Sequence, residues 1–286
     1  MVCKIVHISD LHLESQPETM YPGVNQYLTE AAELLVAEDP DLLIVSGDLT
    51  SHGSCNVREL EIAKDWLLGL HVPFLTVPGN HDLGANDWRG QAYSSTECYE
   101  RTAFRKTNYG SVFSPDPVTL YNLDAVLVVG IALRNHDPDD TLAFLDRTLA
   151  STNKPVILVG HYPVEETRSS GPLATFAFQD FIPHCVDRLR QLILSYPKIR
   201  IYACGHVHAS TTKSIGPHCL QVTAGGLGPG PSLYRVYTLD GEKIHFETRF
   251  GPGPSGFWER LVPEFEYQPE YHHGHSHEQK GQQSLV

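Results

Sequence analysis

The stretch Gly79-Asn80-His81-Asp82 sets an amide, an imidazole and a carboxylate on consecutive residues. It follows an apolar run, Val72-Pro73-Phe74-Leu75-Thr76-Val77, that Pro78 closes. Such a run reads as a buried strand, and the carboxyl end of a sheet strand is where α/β folds place their sites. Gly79 is expected to let the backbone turn through a positive φ. Four other apolar runs end in polar clusters: Asp10-Leu11-His12, Gly47-Asp48, Gly160-His161 and Gly205-His206-Val207-His208. Asp10 and His12 are two residues apart, so extended backbone sends both side chains to one face. The pooled donors are carboxylates, imidazoles and one amide oxygen, with no thiolate required. Mixed nitrogen and oxygen donors suit Mn, Fe, Zn or Co rather than Ca or Mg. Two carboxylates leave two divalent ions under-neutralised, even with a bridging hydroxide, so the site would attract phosphate. Two ions ~3.5–4 Å apart can clamp both the attacking and the leaving side of an in-line displacement.

The elements that must carry these residues follow from hydrophobic period. Lys4 to Ser9, Asp41 to Ser46 and Val72 to Val77 read as strands. Between them, Val24 to Glu38 and Val57 to Leu70 read as helices with one apolar face each. This β-α-β-α-β order predicts a parallel sheet with right-handed crossovers. Residues 84–116 hold Trp88, Tyr93, Tyr99, Phe104 and Tyr109 without a period, and read as loop and short helix over the site. Two strands follow over 118–124 and 125–132, then a helix over 141–149, a strand over 156–159 and a mostly helical stretch over 174–195, broken at Pro183. A further strand covers 199–204. The remainder turns all-β over 219–223, 233–239 and 243–248, with a hairpin signal at Asp240-Gly241. Residues 1–250 form the domain; residues 251–286, rich in Gly, Pro, Glu and His, read as a partly disordered tail.

The 286 residues carry a formal net charge of -13 and 41% hydrophobic residues. That length buries a sizeable core, and that charge repels a long nucleic-acid tract. No apolar run approaches the ~20 residues a membrane-spanning helix needs. The N-terminal residues Met1 to Val6 enter the first strand at once, so a cytoplasmic protein is expected. The six cysteines include no C-x-x-C pair and read as reduced, mostly buried thiols.

Taken together, Asp10-x-His12, Gly47-Asp48, Gly79-Asn80-His81-Asp82, Gly160-His161 and Gly205-His206-x-His208 resemble the calcineurin-like metallophosphoesterase superfamily, with all five blocks in family order. The resemblance implies an α/β fold, a four-layer αββα sandwich, and two divalent metal ions. It implies one metal held by Asp10, His12, Asp48 and His208, and the other by Asp48, Asn80, His161 and His206, with Asp48 bridging. His81 matches the family's non-ligand histidine near the scissile bond, with Asp82 orienting it; Asn80 and His81 would touch substrate. Ile8 to His12, Ser46 to Thr50 and Gly205 to His208 bring the chain nearest to the class III cyclic-nucleotide phosphodiesterase and glycerophosphodiesterase branch. Protein serine/threonine phosphatases carry a carboxylate and an Arg after Gly-Asp and a Glu after Asn-His; here Thr50-Ser51-His52 and Asp82 stand instead. The purple acid phosphatase ligand Tyr is replaced by Ser51.

The expected activity is hydrolysis of a small phosphodiester by in-line attack of a metal-bridging hydroxide. The alternatives are a phosphomonoesterase or protein phosphatase, or a non-catalytic binding protein on the same fold. The expected partner is a small phosphate ester, with no long nucleic acid and no membrane; the oligomeric state stays open, a homodimer included. Cys204, two residues before His206, reads as a buried strand thiol. His7 and the other scattered histidines read as ordinary, His52 and His136 as loop residues, and Tyr162 equally as pocket wall or filler. The tail histidines 272, 273, 275 and 277 read as having no catalytic part.

Overall fold

The computed structural model describes residues 2–83, 102–167, 184–230, 232–252 and 272–285. Strands β1 (Cys3–Ile8), β2 (Leu42–Ser46) and β3 (Phe74–Val77) pair in parallel, with helices α1 (Val24–Ala37) and α2 (Val57–Gly69) in the crossovers. The Asn56 side chain caps α2 by accepting from the Arg58 N–H. One helical turn, α3 (Asn80–Leu83), opens on the ligand motif itself, and α4 (Asn108–Val112) packs against α2. The second sheet is built from β4 (Val118–Asn122), β5 (Leu127–Ile131), β6 (Val156–Val159), β7 (Ile199–Cys204), β8 (Thr212–Ile215) and β9 (Cys219–Thr223). Helices α5 (Thr141–Ser151) and α6 (Val186–Ser195) belong to this half. Strands β10 (Leu233–Leu239) and β11 (Lys243–Phe250) return to the first sheet, followed by α7 (Ser276–Gln279) and β12 (Lys280–Ser284). The sheet orders are β12-β11-β10-β1-β2-β3 and β4-β5-β6-β7-β9-β8.

Strand alternation explains the layers. Val6, Ile8, Leu43 and Val45 point to the core beneath α1 and α2, while Ile5, Leu42 and Ile44 point the other way. There they meet Val126, Val128, Ile157, Val159 and Ile201 of the second sheet. Leu142, Leu145, Leu189 and Ile193 cover its outer face. Strands buried on both faces must be apolar throughout, which is why β2 reads Leu-Leu-Ile-Val. The result is the expected four-layer αββα sandwich.

Three differences from the sequence reading have physical causes. Strand β8 has the polar sequence Thr-Lys-Ser-Ile, because an edge strand needs only its inward residue, Ile215, to be apolar. The chain's end, expected to be partly disordered, is ordered over 272–285: Lys280–Ser284 pair antiparallel with β11. Its Lys-Gly-Gln-Gln-Ser composition carries no apolar signal because its side chains stay largely outside the core; main-chain hydrogen bonds place it. Of the aromatic stretch expected over the site, Phe104 and Tyr109 pack into the core beneath α1 and α2, and the Tyr109 hydroxyl bonds Thr76 Oγ1 at 2.7 Å. Trp88, Tyr93 and Tyr99 lie outside the described residues, as do residues 174–183 of the expected helix.

Ile44 is fully buried between the sheets. Ile44→Ala should lower the unfolding free energy by about 2–5 kcal/mol, measured as a lower urea midpoint with the slope preserved. An unshifted midpoint would contradict face-to-face packing of the sheets.

Candidate dinuclear metal centre

All five motif blocks sit at the carboxyl ends of parallel strands: Asp10 and His12 after β1, Asp48 after β2, Asn80 and His81 after β3, His161 after β6, and His206 and His208 after β7. Main-chain bonds fuse the loops. The amides of Leu11 and His12 both donate to the Asp48 carbonyl, at 2.8 and 3.0 Å, and the Gly205 amide donates to the His161 carbonyl at 2.9 Å. Across the seam between sheets, the His206 amide donates to the Asp10 carboxylate at 3.1 Å.

The structure brings the predicted ligands into two groups, Asp10 with His12 and His208, and Asp48 with His161 and His206; one ligand atom from each member lies within 4.8 Å of the others. Asp48 Oδ2 stands 3.3 Å from His161 Nε2 and 3.9 Å from His12 Nε2, so it faces both groups. Asn80 Oδ1 is 3.1 Å from His161 Nε2. His81 makes a third grouping with His12 and Asp48, and its ring lies edge-on to His12 at 4.7 Å.

Tautomers follow from the outer partners. His161 Nδ1 lies 2.8 Å from the Ser46 carbonyl and His208 Nδ1 lies 2.6 Å from the Pro229 carbonyl. A carbonyl only accepts, so each Nδ1 donates and each Nε2 turns inward. That nitrogen then faces a carboxylate oxygen at 3.3 Å, on Asp48 and Asp10 respectively. His12 Nε2 and His208 Nε2 face each other at 3.3 Å. A single proton can bridge that pair and a metal ion can take its place, and carbonyl-oriented imidazoles are how proteins present nitrogen to a metal. The donor set therefore fits two divalent ions.

Electrostatics divide the rings: His12 and His206 are lowered, while the carboxylates raise His161 and His208. Burial pushes His12 well below its usual range, assisted by His81, and burial with His161 takes His206 down to about 3. Both rings are held neutral, the form that ligates. Burial would lower His161 as well, but Asp48 and Asp10 outweigh it and raise the ring to about 9. Burial would raise Asp48, but His161, His81 and His12 outweigh it and hold the carboxyl well down.

Two expectations about local geometry are corrected. Gly79 does not have a positive φ; it is required because a Cβ there would lie 2.2 Å from Asp48 Oδ1. Gly47 does turn through φ 101°, but Asp10, His12, Asp48, His206 and His208 themselves occupy the left-handed region, with φ from 46° to 71°. The hydrogen bonds described for Asp82 go to groups other than His81. Its carboxylate accepts from the amides of Gly79, Leu49 and Thr50 at 2.9–3.0 Å and from the Thr50 hydroxyl at 2.7 Å. The Ser51 carbonyl takes His81 Nδ1, at 2.9 Å. Burial and the Asp48 charge push the Asp82 carboxyl up to about 7, against those donors, which favour the anion.

Sequence reasoning missed the Ser46, Ser51 and Pro229 carbonyls, which no residue type announces. It also passed over His7, fully buried between Tyr237 Oη and Ser46 Oγ at 2.9 and 2.8 Å. Tyr162 packs edge-on to both His161 and His206 at 5.0 Å. Cys204 is a buried strand thiol that burial pushes well up, outside either group. His52 pairs with Glu59, and His136 stacks on His184.

A two-sheet sandwich that gathers paired His/Asp groups at its strand ends defines a dinuclear metallohydrolase. The chain belongs to the calcineurin-like phosphoesterase family, which residues 3–210 match. Site and family together make it a metal-dependent phosphoesterase. It is 26% identical to a probable glycerophosphodiester phosphodiesterase of Arcobacter nitrofigilis, over 73% of this chain and 72% of that one. It is 27% identical to a probable cyclic nucleotide phosphodiesterase of Synechococcus, over 76% and 77%. A solved dimetal phosphatase from Danio rerio shares the fold with a TM-score of 0.61 at 14% identity, over 87% of this chain and 96% of that one.

Asp82→Ala would leave four buried donors unmatched, each worth about 1–3 kcal/mol. Lowered thermal stability together with reduced metal content by mass spectrometry is the expected result. Wild-type stability with only a changed pH–rate profile would restore the reading in which Asp82 acts through His81.

Proposed function

We propose that the chain hydrolyses small phosphodiesters, with cyclic nucleotides and glycerophosphodiesters as the candidate substrates. The observation that carries this reading is the meeting of the two His/Asp groups at the Asp48 carboxylate. The two relatives named as phosphodiesterases support the diester over the monoester. Asp10, His12, Asp48 and His208 would hold one ion; Asp48, Asn80, His161 and His206 would hold the other. Mn, Fe, Zn and Co suit these donors. Metal ions held by these residues would supply activation of water and stabilisation of the charge that develops on phosphate. A net charge of -13 disfavours a polyanionic substrate. Among the described residues no helix is long and apolar enough to cross a membrane. The described cysteines stand as free thiols, which supports a reducing, cytoplasmic setting.

The chain's own residues supply position and protons. Asn80 opens α3 with its amide oxygen turned toward His161, and the next residue, His81, is carried to the same edge. Its amide donates to Asp48 Oδ1 at 2.9 Å, so His81 and Asp48 move as one unit. With Nδ1 committed to the Ser51 carbonyl, Nε2 is the nitrogen that serves the substrate, bonding a phosphoryl oxygen or protonating the departing alkoxide.

Exhaustive chelation should abolish hydrolysis of bis(p-nitrophenyl) phosphate, and Mn²⁺ or Co²⁺ should restore it; Asp48→Ala should not be restored. Turnover of monoesters or phosphopeptides alone would replace the diester reading with a phosphatase. His81→Ala should keep both ions and lower turnover by about 10²–10⁴, most for alkyl leaving groups and least for nitrophenolate. Loss of an ion would instead make the His12–Asp48–His81 grouping a ligand set.

A further inference from the structure

The loop that carries His206 and His208 contributes one imidazole to each metal group. Both residues sit at positive φ, 71° and 46°. Non-glycine residues are disfavoured in that region and persist only where their surroundings over-determine them. From the front, the Asp10 carboxylate and the Pro229 carbonyl hold the loop. What holds it from behind lies far along the chain.

We infer that the segment 272–279, locked by the buried side chain of Arg235, is a clamp that fixes the His206–His208 loop and so sets the metal affinity of both groups. The Ser210 amide donates to the His272 carbonyl at 2.8 Å. A Cβ on Gly274 would lie 2.3 Å from the Ser210 carbonyl oxygen, so the two backbones are in direct contact. Two residues on, the Thr212 amide faces Glu278 Oε1 at 3.5 Å. Glu278 is itself fixed by the capping box of α7, in which its Oε2 accepts from the His275 amide at 2.9 Å.

Arg235 ties these pieces together. It is fully buried on β10, a costly place for a cation unless its donors are matched. Nη2 donates to the Thr211 carbonyl at 3.1 Å and Nε to the Thr223 carbonyl at 3.0 Å. Nη1 donates to the Glu278 carbonyl at 2.6 Å and to Thr248 Oγ1. One rigid guanidinium therefore joins the ligand loop, β9, β11 and α7. Thr223 Oγ1 completes the back of the loop by donating to the Ala209 carbonyl at 2.6 Å and accepting from the Thr211 amide at 2.7 Å. β12 anchors the clamp by pairing with β11. On this account the histidine-rich end acts through its main chain at His272 and His275 and through the capping box that His275 and Glu278 form.

The inference rests on the metal centre and is independent of the diester substrate. Arg235→Gln in the full-length chain tests it, with the exposed strand residue Glu247→Gln as control. Mn²⁺ affinity is read by equilibrium dialysis, and amide exchange over 206–212 is read by mass spectrometry on metal-free protein. The expected result is a fall in affinity for both ions together, by about 10–100-fold, faster exchange over 206–212, and turnover that recovers at saturating Mn²⁺. A folded Arg235→Gln protein with wild-type affinity and exchange overturns the clamp, as does a loss confined to one ion. If Arg235→Gln does not fold, Thr248→Val, which removes one acceptor of the guanidinium and one bond to the Gln279 carbonyl, decides by the same readouts. Wild-type protein that bound no Mn²⁺ would overturn the metal centre itself, a different outcome from two ions bound with unaltered variants.

Discussion

Two carboxylates, Asp10 and Asp48, lie almost wholly out of water among the imidazoles of five histidines. A buried anion is costly unless a cation answers it, and the groups that favour the charged form of Asp10 and Asp48 are the neighbouring histidines. The imidazoles cannot all answer by protonation, because burial and mutual repulsion hold His12 and His206 neutral. The arrangement makes sense around two metal ions, and much of the local structure follows from it. Gly47 lacks a Cβ because one would strike the His161 ring at 2.3 Å; Gly79 lacks one because it would strike Asp48. Five ligands accept left-handed backbone to bring their donors inward.

Other carboxylates nearby are buried without serving metal, and their surroundings show the difference. Glu14 accepts from the amides of Thr19, Met20 and Tyr21 at 2.5–3.0 Å and from the Ser51 hydroxyl at 3.0 Å. Glu59 accepts from the His52 amide at 2.6 Å, and Asp82 from three amides and a hydroxyl. These carboxyl groups are satisfied by donors and tie together the loops after β1, β2 and β3. Asp48 takes a single amide on Oδ1 and turns Oδ2 to imidazole nitrogens. A carboxylate ringed by amides has its acceptors filled; one left facing imidazoles is a candidate ligand.

The candidate ligands were legible because side-chain type and strand-end position carry the signal together: Asp10, His12, Asp48, Asn80, His161, His206 and His208 all fall where apolar runs stop, and the structure brings all seven together. The sandwich was legible because strands covered on both faces must be apolar, and β2, β5 and β6 are. What sets the rings was not legible. Ser46, Ser51 and Pro229 act through carbonyl oxygens, which every residue has, so no spacing rule selects them. Asp82 misled for a related reason: adjacency to His81 suggested a pair, but the helical turn at α3 sends the two side chains to different partners. The polar β8 and β12 escaped because edge strands are specified by main-chain pairing more than by burial.

The centre also joins halves that strand pairing leaves separate. Among the described residues no ladder connects the two sheets; beside the apolar layer between them, they meet in polar contacts at the strand ends, where Ser46 holds His161 and Asp10 receives the His206 amide. An ion that takes donors from β1 and β7, or from β2 and β6, adds a cross-sheet bond at the place where the apolar layer ends and water begins. Ligands that bind only the folded state add to its stability by mass action. Metal affinity and sandwich stability are then two measures of one set of contacts, and a residue as distant from substrate as Arg235 gains influence over the site through that shared set.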